Sequence, residues 1–513
     1  WNTSGPLQKN SPTRSRTPLV KRKTRVDKDC NMTLETHPLH GFFFPRSVAI
    51  VGATNNPFKM NYRIMENLVK LNFQGTLYPV NPNSTEILGI KAYPSMESIP
   101  DKVDLVVSAI PAPKTIDIIK QCAAKQVKSV VIVTGGFSEG GGQGKRLHNE
   151  IYSLVRENGI RALGPNTLSP INTSNNLIVS FNPVRKITTG KMSFAFQSGF
   201  YEPRLNWIFS HMGVSKILDL GNKMDLNEVD ALTYFAQDPD TKVIGIHIES
   251  IQGDPLQFFQ LLKSITPEKP VIVLKAGRTA AGAQAAASHT GSMARENDLV
   301  FNGLLRQSGA IRAANIDEFF DFAKAFEFLD LPAGNRLCII TLSGGEGVMA
   351  TDACEMYGLE LAQLGHITHE RLKDIFPPWE IPLNPFDAGV CMEFHLTDLK
   401  SFFQKFSSIA EDANVDCVLM QMPPNFTYFM TFMHKLSEEV VSSMTQEYLD
   451  LISSMKRPGK PFAIWSSATG KEEIELIEKI EERKMPVFAS AERAIKAFSA
   501  LYRYQSFKKR FSK

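Results

Sequence analysis

At 513 residues, with 43% hydrophobic and 21% charged side chains, the chain has the composition of an ordinary globular protein with room for about three domains, each burying its own core. No apolar run approaches the ~18 uninterrupted residues of a membrane-spanning helix. The formal net charge of +4 arises in residues 1–31, which carry eight Lys/Arg against two Asp; the remainder is slightly acidic and lacks the basic signature of a nucleic-acid binder.

The opening segment SPTRSRTPLVKRKTRVDKDC is polar and rich in Pro, Ser and Thr, so residues 1–40 are expected to form a basic disordered tail. It contains no apolar core of a secretory signal, and Met32 reads as the natural start. Cys30, Cys122, Cys338, Cys354, Cys391 and Cys417 show no CxxC spacing, which points away from zinc and disulfides and toward a reducing cytoplasm. The pair His366 and His369 in HITHE lacks the HExxH pattern, so no metal site is expected.

From residue 46 short apolar runs alternate with amphipathic ones. SVAIVGA, TLYPVNP, VDLVVSAIP and SVVIVTGGF read as strands, with NYRIMENLVKLNF, TIDIIKQCAAKQ and RLHNEIYSLVRENG as helices between them. Continuous Val/Ile runs separated by helices predict a parallel sheet covered on both faces. The first unit is expected over 41–172. A second, 173–333, contains KMSFAFQSG, VIGIHIESI and PVIVLKAGR; a third, 334–513, contains RLCIITLSGGEG, VDCVLMQMPP and PFAIWSS. In both later units an apolar strand ends in Ser-Gly (Ser198-Gly199, Ser343-Gly344), and a helical stretch closes at a glycine fifteen residues after the serine (Gly213, Gly358). This predicts two similar doubly wound units.

The first strand–turn–helix, AIVGATNNPFKMN, invites a nicotinamide reading, but only Gly52 stands where three glycines are needed. Asn81 occupies the end of the second strand, where an acid would bind a ribose hydroxyl. What remains is a turn of small and amide residues (Gly52, Ala53, Thr54, Asn55, Asn56) before a helix, with Lys59 beyond. Free N–H groups and a lysine suit phosphates, and coenzyme A fits better than NAD; a purely structural turn stays open. Ser198 and Gly199, followed by Pro203, read as a helix opening suited to an anion, or as a serine N-cap alone. Glu249 falls near the C-terminal end of a buried strand, the edge at which doubly wound folds collect ligands. His289 lies in AAASHTGSMA, among side chains too small to pack around it.

FFFPRSVAIVGATNNP, GFSEGGGQG, RALGPN, QSG, LGNKMD, IES, KAGRTAAGAQAAASHTGSMA and NPFDAGV occur in an order that resembles the α subunit of the ADP-forming acyl-CoA (acetate–CoA) ligases, relatives of succinyl-CoA synthetase. The resemblance implies a Rossmann-like CoA-binding domain followed by two flavodoxin-like doubly wound domains, and a cytoplasmic enzyme. It implies that CoA occupies Gly52, Ala53, Thr54, Asn55, Lys59, Asn81, Ile110, Pro111, Thr134 and Gly135. Phosphate would attack acyl-CoA to give an acyl phosphate, and His289 would then accept the phosphoryl group with Glu249 orienting it. Gly164, Pro165, Asn166, Ser198, Gly199, Ser288, Thr290 and Gly291 would line the phosphate and substrate site. The small residues around His289 then read as a slim loop that carries it between sites. ADP/ATP with Mg would bind a separate ATP-grasp β subunit, in an α2β2 heterotetramer, because three α/β domains leave no room for that module.

Departures from the family pattern are Asn61, Thr167, Ser169, Phe200, Tyr201, Glu202, Pro203, Arg295 and Glu346. Bulk and a carboxylate beside the phosphate-binding turn support the alternative of a catalytically impaired, CoA-binding regulatory homologue.

Overall fold

A computed structural model describes residues 33–511 apart from 253, 291–296, 396–397, 423–437 and 468–469, and the side chains of 287–290 lie outside the description. The basic segment 1–32 is likewise outside it. The first sheet contains β1 (Ser47–Val51), β2 (Thr76–Val80), β3 (Leu105–Ser108), β4 (Ser129–Ile132) and β5 (Arg161–Leu163), ordered β2-β1-β3-β4-β5 and parallel throughout. All five residues of β1 and all four of β3 and β4 are buried, as the Val/Ile runs require of a sheet covered on both faces.

The second sheet contains β6 (Ile171–Asn172), β7 (Leu177–Ile178), β8 (Thr189–Phe196), β9 (Val214–Asp219), β10 (Val243–Ile248), β11 (Val271–Lys275) and β12 (Ile311–Ala313). Its order is β12-β11-β10-β8-β9-β6-β7, parallel except for β6, which pairs antiparallel with both β9 and β7. The third has β13 (Arg336–Thr341), β14 (Glu360–Leu361), β15 (Phe386–Asp387), β16 (Cys417–Gln421), β17 (Phe462–Trp465) and β18 (Val487–Phe488). There the order is β14-β13-β16-β17-β18, with β15 also on β13. Counting parallel strands within each unit, with the two-residue β15 left aside, all three sheets share the order 2-1-3-4-5, so each has its switch point beside its first strand.

Four helices matter below: α1 (Tyr62–Lys70), α2 (Leu205–His211), α3 (Ala280–Thr290) and α4 (Gly344–Met356). Each follows a strand of its sheet and starts at the C-terminal edge.

Three expectations change. Residues 33–40 are not part of a tail: His37 and Leu39 are buried, and the His37 ring meets the edge of Tyr234 at 5.2 Å in the second unit. Apolar contact there outweighs the polar composition of the flanking residues. At the expected 172/173 boundary, Ile171–Asn172 pairs with β9 and so belongs to the second sheet. The matched glycines also differ in role. Gly358 is left-handed (φ 78°) beyond α4, a helix stop of the common kind. Gly213 instead lies against the backbone of Gly190, where a Cβ would come within 2.7 Å of that residue's Cα.

Candidate active site

Gly52 ends β1 with φ 88°, and a Cβ there would lie 2.8 Å from the Ala109 carbonyl oxygen and 2.9 Å from Ile110. Only glycine lets the two turns approach this closely across the switch point. The turn is built by amides. Asn81 Nδ2 donates to the Ala53 carbonyl at 2.8 Å, and its Oδ1 accepts from Asn83 N at 2.9 Å. Asn55 Nδ2 donates to the Glu86 carbonyl at 2.9 Å, and its Oδ1 accepts from Leu88 N at 2.9 Å. The amides of Asn55 and Asn81 thus shape the turn and are already committed to it. Asn61, a departure from the family, donates to the Gly52 carbonyl. Lys59 is exposed beside the turn and Thr54 half-buried in it. Thr134 Oγ1 donates to the Ile110 carbonyl at 2.8 Å, which ties Ile110, Pro111 and Gly135 to the same edge.

A crossing turn joins the first and second sheets. Gly164 has φ 95° and Asn166 φ 61°, with a cis Gly164-Pro165 bond between them. Asn tolerates that left-handed conformation better than bulkier residues. The second sheet's loop after β9 closes onto this turn: Asn222 N donates to the Pro165 carbonyl and Met224 N to the Gly164 carbonyl, both at 2.9 Å. Glu139 bridges the units, its Oε1 accepting from Gly136 N and its Oε2 from Asn222 Nδ2, each at 2.7 Å.

At the second sheet's C-terminal edge Gln197 is the hub. Its Oε1 accepts from Glu249 N at 2.7 Å, Lys223 Nζ at 3.0 Å and Ser250 N at 3.1 Å. Lys223, 3% exposed, also donates to Glu228 Oε2 at 2.9 Å and the Ser250 carbonyl at 2.6 Å. Lys275 Nζ donates to the Glu249 carbonyl at 2.7 Å. The backbone of half-buried Glu249, one residue past β10, is therefore held from both sides, where the sequence pattern puts it.

Ser198 and Gly199 are half-buried beside this hub. The expected α-helix does not start there. Residues Gly199–Arg204 form a 3-10 turn, Ser198 makes no side-chain cap, and α2 begins at Leu205. Pro203 has no N–H to give an α-helical bond. Tyr201 is fully buried, stacked on Phe196 at 4.5 Å, with its hydroxyl on the Leu168 carbonyl. Thr167 and Ser169, also departures, donate to the Asp219 carbonyl at 2.5 and 3.1 Å. Asp219 is buried, accepts from Leu168 N and Gly221 N at 3.0 Å each, and burial pushes its carboxyl up to about 7. Burial does the same to Glu202, also to about 7.

His289 and Ser288 stand near the end of α3, and Thr290 closes it; their side chains, and all of Gly291 and Arg295, lie outside the described residues. The expected loop is thus helical through Thr290, since alanine is the strongest helix former. Helix α3 packs against the 3-10 turn Ser138–Gly140 of the first unit.

The structure groups Gly52, Ala53, Asn81, Ile110, Thr134 and Gly135 at one edge, and Gly164–Asn166, Ser198, Gly199 and Glu249 at the next. Sequence reasoning missed Glu139, Gln197, Lys223, Asp219 and Lys275. The third sheet's equivalent of the Ser198 turn is closed by its own carboxylate: Glu346 Oε2 accepts from Gln421 Nε2 at 2.9 Å and Trp465 Nε1 at 2.8 Å. The five described cysteines are all buried, and burial raises the Cys122, Cys354 and Cys391 thiols to about 12, unsuited to nucleophilic work. His366, His369 and Glu370 bring ligand-type atoms within 4.8 Å of one another, on the helix His366–Lys373 of the third unit.

Residues 46–172 match the family model of a CoA binding domain, and residues 189–326 that of a succinyl-CoA ligase like flavodoxin domain. Acetate–CoA ligase [ADP-forming] I subunit alpha of Pyrococcus furiosus is 35% identical over 484 residues, covering 92% of this chain and 98% of that one. Acetate–CoA ligase [ADP-forming] II of Archaeoglobus fulgidus is 37% identical over 385 residues, but this chain covers only 56% of its length. The dinucleotide forming acetyl-coenzyme A synthetase 1 of Ca. Korarchaeum cryptofilum, solved in complex with phosphate and ADP, aligns with TM-score 0.78 and 29% identity over 92% of this chain and 97% of that one. No described helix is long and apolar enough to cross a membrane. The chain belongs to the ADP-forming acetate–CoA ligase family, in which it corresponds to the alpha subunit.

Proposed function

We propose that the chain is the α subunit of a cytoplasmic ADP-forming acyl-CoA ligase, interconverting acyl-CoA, ADP and phosphate with free acid, CoA and ATP. The observation that carries this reading is the packing of α3 against the turn Ser138–Gly140. Ser288–Thr290 form the C-terminal end of α3, and the contact of this helix with the first unit supports a histidine that works between the CoA-type edge and the Gln197 hub. A phosphate oxygen attacks the thioester carbonyl, the C–S bond breaks, and CoA leaves as an acyl phosphate forms. A ring nitrogen of His289 then attacks phosphorus, the acid departs with the P–O bond electrons, and the phosphoryl group travels to ADP on the partner subunit.

Glu249 orients the His289 ring, as a carboxylate does for an imidazole nucleophile. Gln197, Lys223 and Lys275 fix the Glu249 backbone. Ser198, Gly199, Asn166, Ser288, Thr290 and Gly291 surround the phosphate. Nucleotide and Mg belong to an ATP-grasp β subunit in an α2β2 assembly.

A second reading, a regulatory homologue that binds CoA without turnover, is favoured by the two buried acids Glu202 and Asp219 next to the phosphate turn. The experiment is incubation with a panel of acyl-CoAs and labelled phosphate. Acid-labile, base-stable label on the protein, absent in His289→Ala, supports the enzyme. CoA binding without label from any acyl-CoA would favour the second reading. Adding a β subunit and ADP then yields ATP, and sedimentation of the mixture reports the stoichiometry.

A further inference from the structure

The segment Ser180–Arg185, between β7 and β8, is held by side chains from both sides. On one side is α1, the helix that follows the CoA-type turn. Asn67 Nδ2 donates to the carbonyls of Ser180 (3.2 Å) and Asn182 (2.9 Å), and Asn67 Oδ1 accepts from Val184 N at 3.0 Å. On the other side are the phosphate turn and α2. Glu202 Oε2 accepts from Ser180 Oγ at 2.8 Å and Asn182 Nδ2 at 2.9 Å. Asn206 Oδ1 accepts from Arg185 N at 2.9 Å, and its Nδ2 donates to the Pro183 carbonyl at 3.0 Å.

Asn67 and Glu202 are only 2% and 4% exposed. Glu202 Oε1 is buried with no hydrogen-bond partner among the described residues. A buried carboxyl with one oxygen unused is a net cost to folding. An aliphatic side chain of similar size would fill the volume without it. What the carboxyl adds is one oxygen that takes both strap donors at once.

We propose that Asn67 and Glu202 are positioning residues through which the CoA turn and the phosphate turn sense each other's occupancy, the strap Ser180–Arg185 being the link. The inference rests on the acyl-CoA and phosphate reading above. Acyl transfer to phosphate needs thioester and anion held together, so a favourable coupling raises the fraction of productive complex.

The test measures CoA affinity by calorimetry on the full chain, with and without saturating inorganic phosphate. In the wild type, phosphate shifts the CoA dissociation constant by about 5-fold or more, the lower end of ordinary coupling. Glu202→Leu, which keeps volume and removes the acceptor, brings that ratio to about one, as does Asn67→Ala. The double variant loses nothing more, because both act through one strap. Glu202→Gln, which offers a single oxygen to Ser180 and Asn182, restores the ratio. A merely structural role would shift melting temperature and leave the ratio alone. An unchanged ratio in Glu202→Leu and Asn67→Ala overturns the proposal while leaving the functional reading intact. So does a wild-type ratio of one with both ligands bound. A wild-type chain that binds no CoA overturns the functional reading and the coupling with it.

Discussion

Replacing Lys223 by methionine removes a charge and leaves most of the volume. In the native chain Lys223 Nζ lies 2.9 Å from Glu228 Oε2, with the two side chains 2% and 0% exposed. At that separation and an effective dielectric of about 20, the attraction is about 6 kcal/mol before desolvation is charged against it. Truncating one partner strands the other charge, at a net cost of about 3–5 kcal/mol. Among the described residues, Glu228 then retains only the bond from Gln252 N. Gln197 Oε1 simultaneously loses one of its three donors, which loosens the backbone of Glu249. Lys223→Met is therefore expected to lower the urea midpoint by the equivalent of about 3–5 kcal/mol and to reduce His289 labelling. The double variant Lys223→Met/Glu228→Gln should regain about 2 kcal/mol or more of that loss, because no buried charge is left alone. It should not regain the labelling, since Gln197 still lacks its third donor. CoA binding, which uses the first sheet, should be unchanged in both. A single variant within about 1 kcal/mol of wild type, or a double variant no more stable than the single, would refute the reasoning.

Gly52→Ala puts a Cβ 2.8 Å from the Ala109 carbonyl oxygen at φ 88°, so it should cost about 1–3 kcal/mol and weaken CoA binding at least tenfold by calorimetry. Unaltered affinity would mean the two turns do not form the CoA crevice. The carboxyls of Asp219 and Glu202, both raised to about 7 by burial, keep protons in the folded chain that the unfolded chain releases near pH 4. Their contribution is fully present below about pH 4 and is lost as pH rises to about 7, by at most about 4 kcal/mol for Asp219 and about 3 kcal/mol for Glu202. Urea midpoints at pH 5, 6, 7 and 8 should fall and then level off, and Asp219→Asn should flatten the slope; parallel curves would show that Asp219 ionises normally. Glu346→Ala frees the Trp465 indole N–H in the third unit, so it should shift tryptophan emission while leaving CoA affinity and His289 label within about twofold of wild type, the usual range for a change away from a site.

Much of this architecture is legible in the sequence for a simple reason. Parallel strands buried on both faces must be continuous Val/Ile runs, and SVAIV, VIGIHI and RLCIIT announce three such sheets and their ligand-bearing edges. Glu249 is legible in the same way, as the first charge after such a run. The hub is not. Lys223 reaches the Ser250 carbonyl 27 residues on, and Glu139 meets Asn222 across 83 residues, so no local pattern records either pair. The alanine run before His289 misled through function: smallness suited a swinging loop, while propensity favoured the helix that forms. At Ser198 the serine, glycine and proline correctly mark an element's start, but Pro203, read as suited to the first helical turn, lies five residues after Ser198, within the 3-10 turn, where its missing N–H denies an α-helical bond.

The helix Ala491–Phe511 sits in one hydrophobic cluster with Phe319 and Phe320 of the second unit and Leu337 and Cys417 of the third. Arg493 grips Asp321 at 2.6 and 2.9 Å, and Tyr504 reaches the Thr266 carbonyl at 2.8 Å. The middle unit therefore borrows part of its core from the end of the described chain. On a ribosome adding about 5–20 residues per second, that helix emerges about 10–40 s after the rest of the middle unit has been made. Throughout that interval Phe326, whose ring meets that of Tyr504 at 5.4 Å, lacks this part of its cover. A chaperone has its longest opportunity there, and a stop codon before residue 491 would damage the middle unit although every residue of that unit's own sheet had been translated.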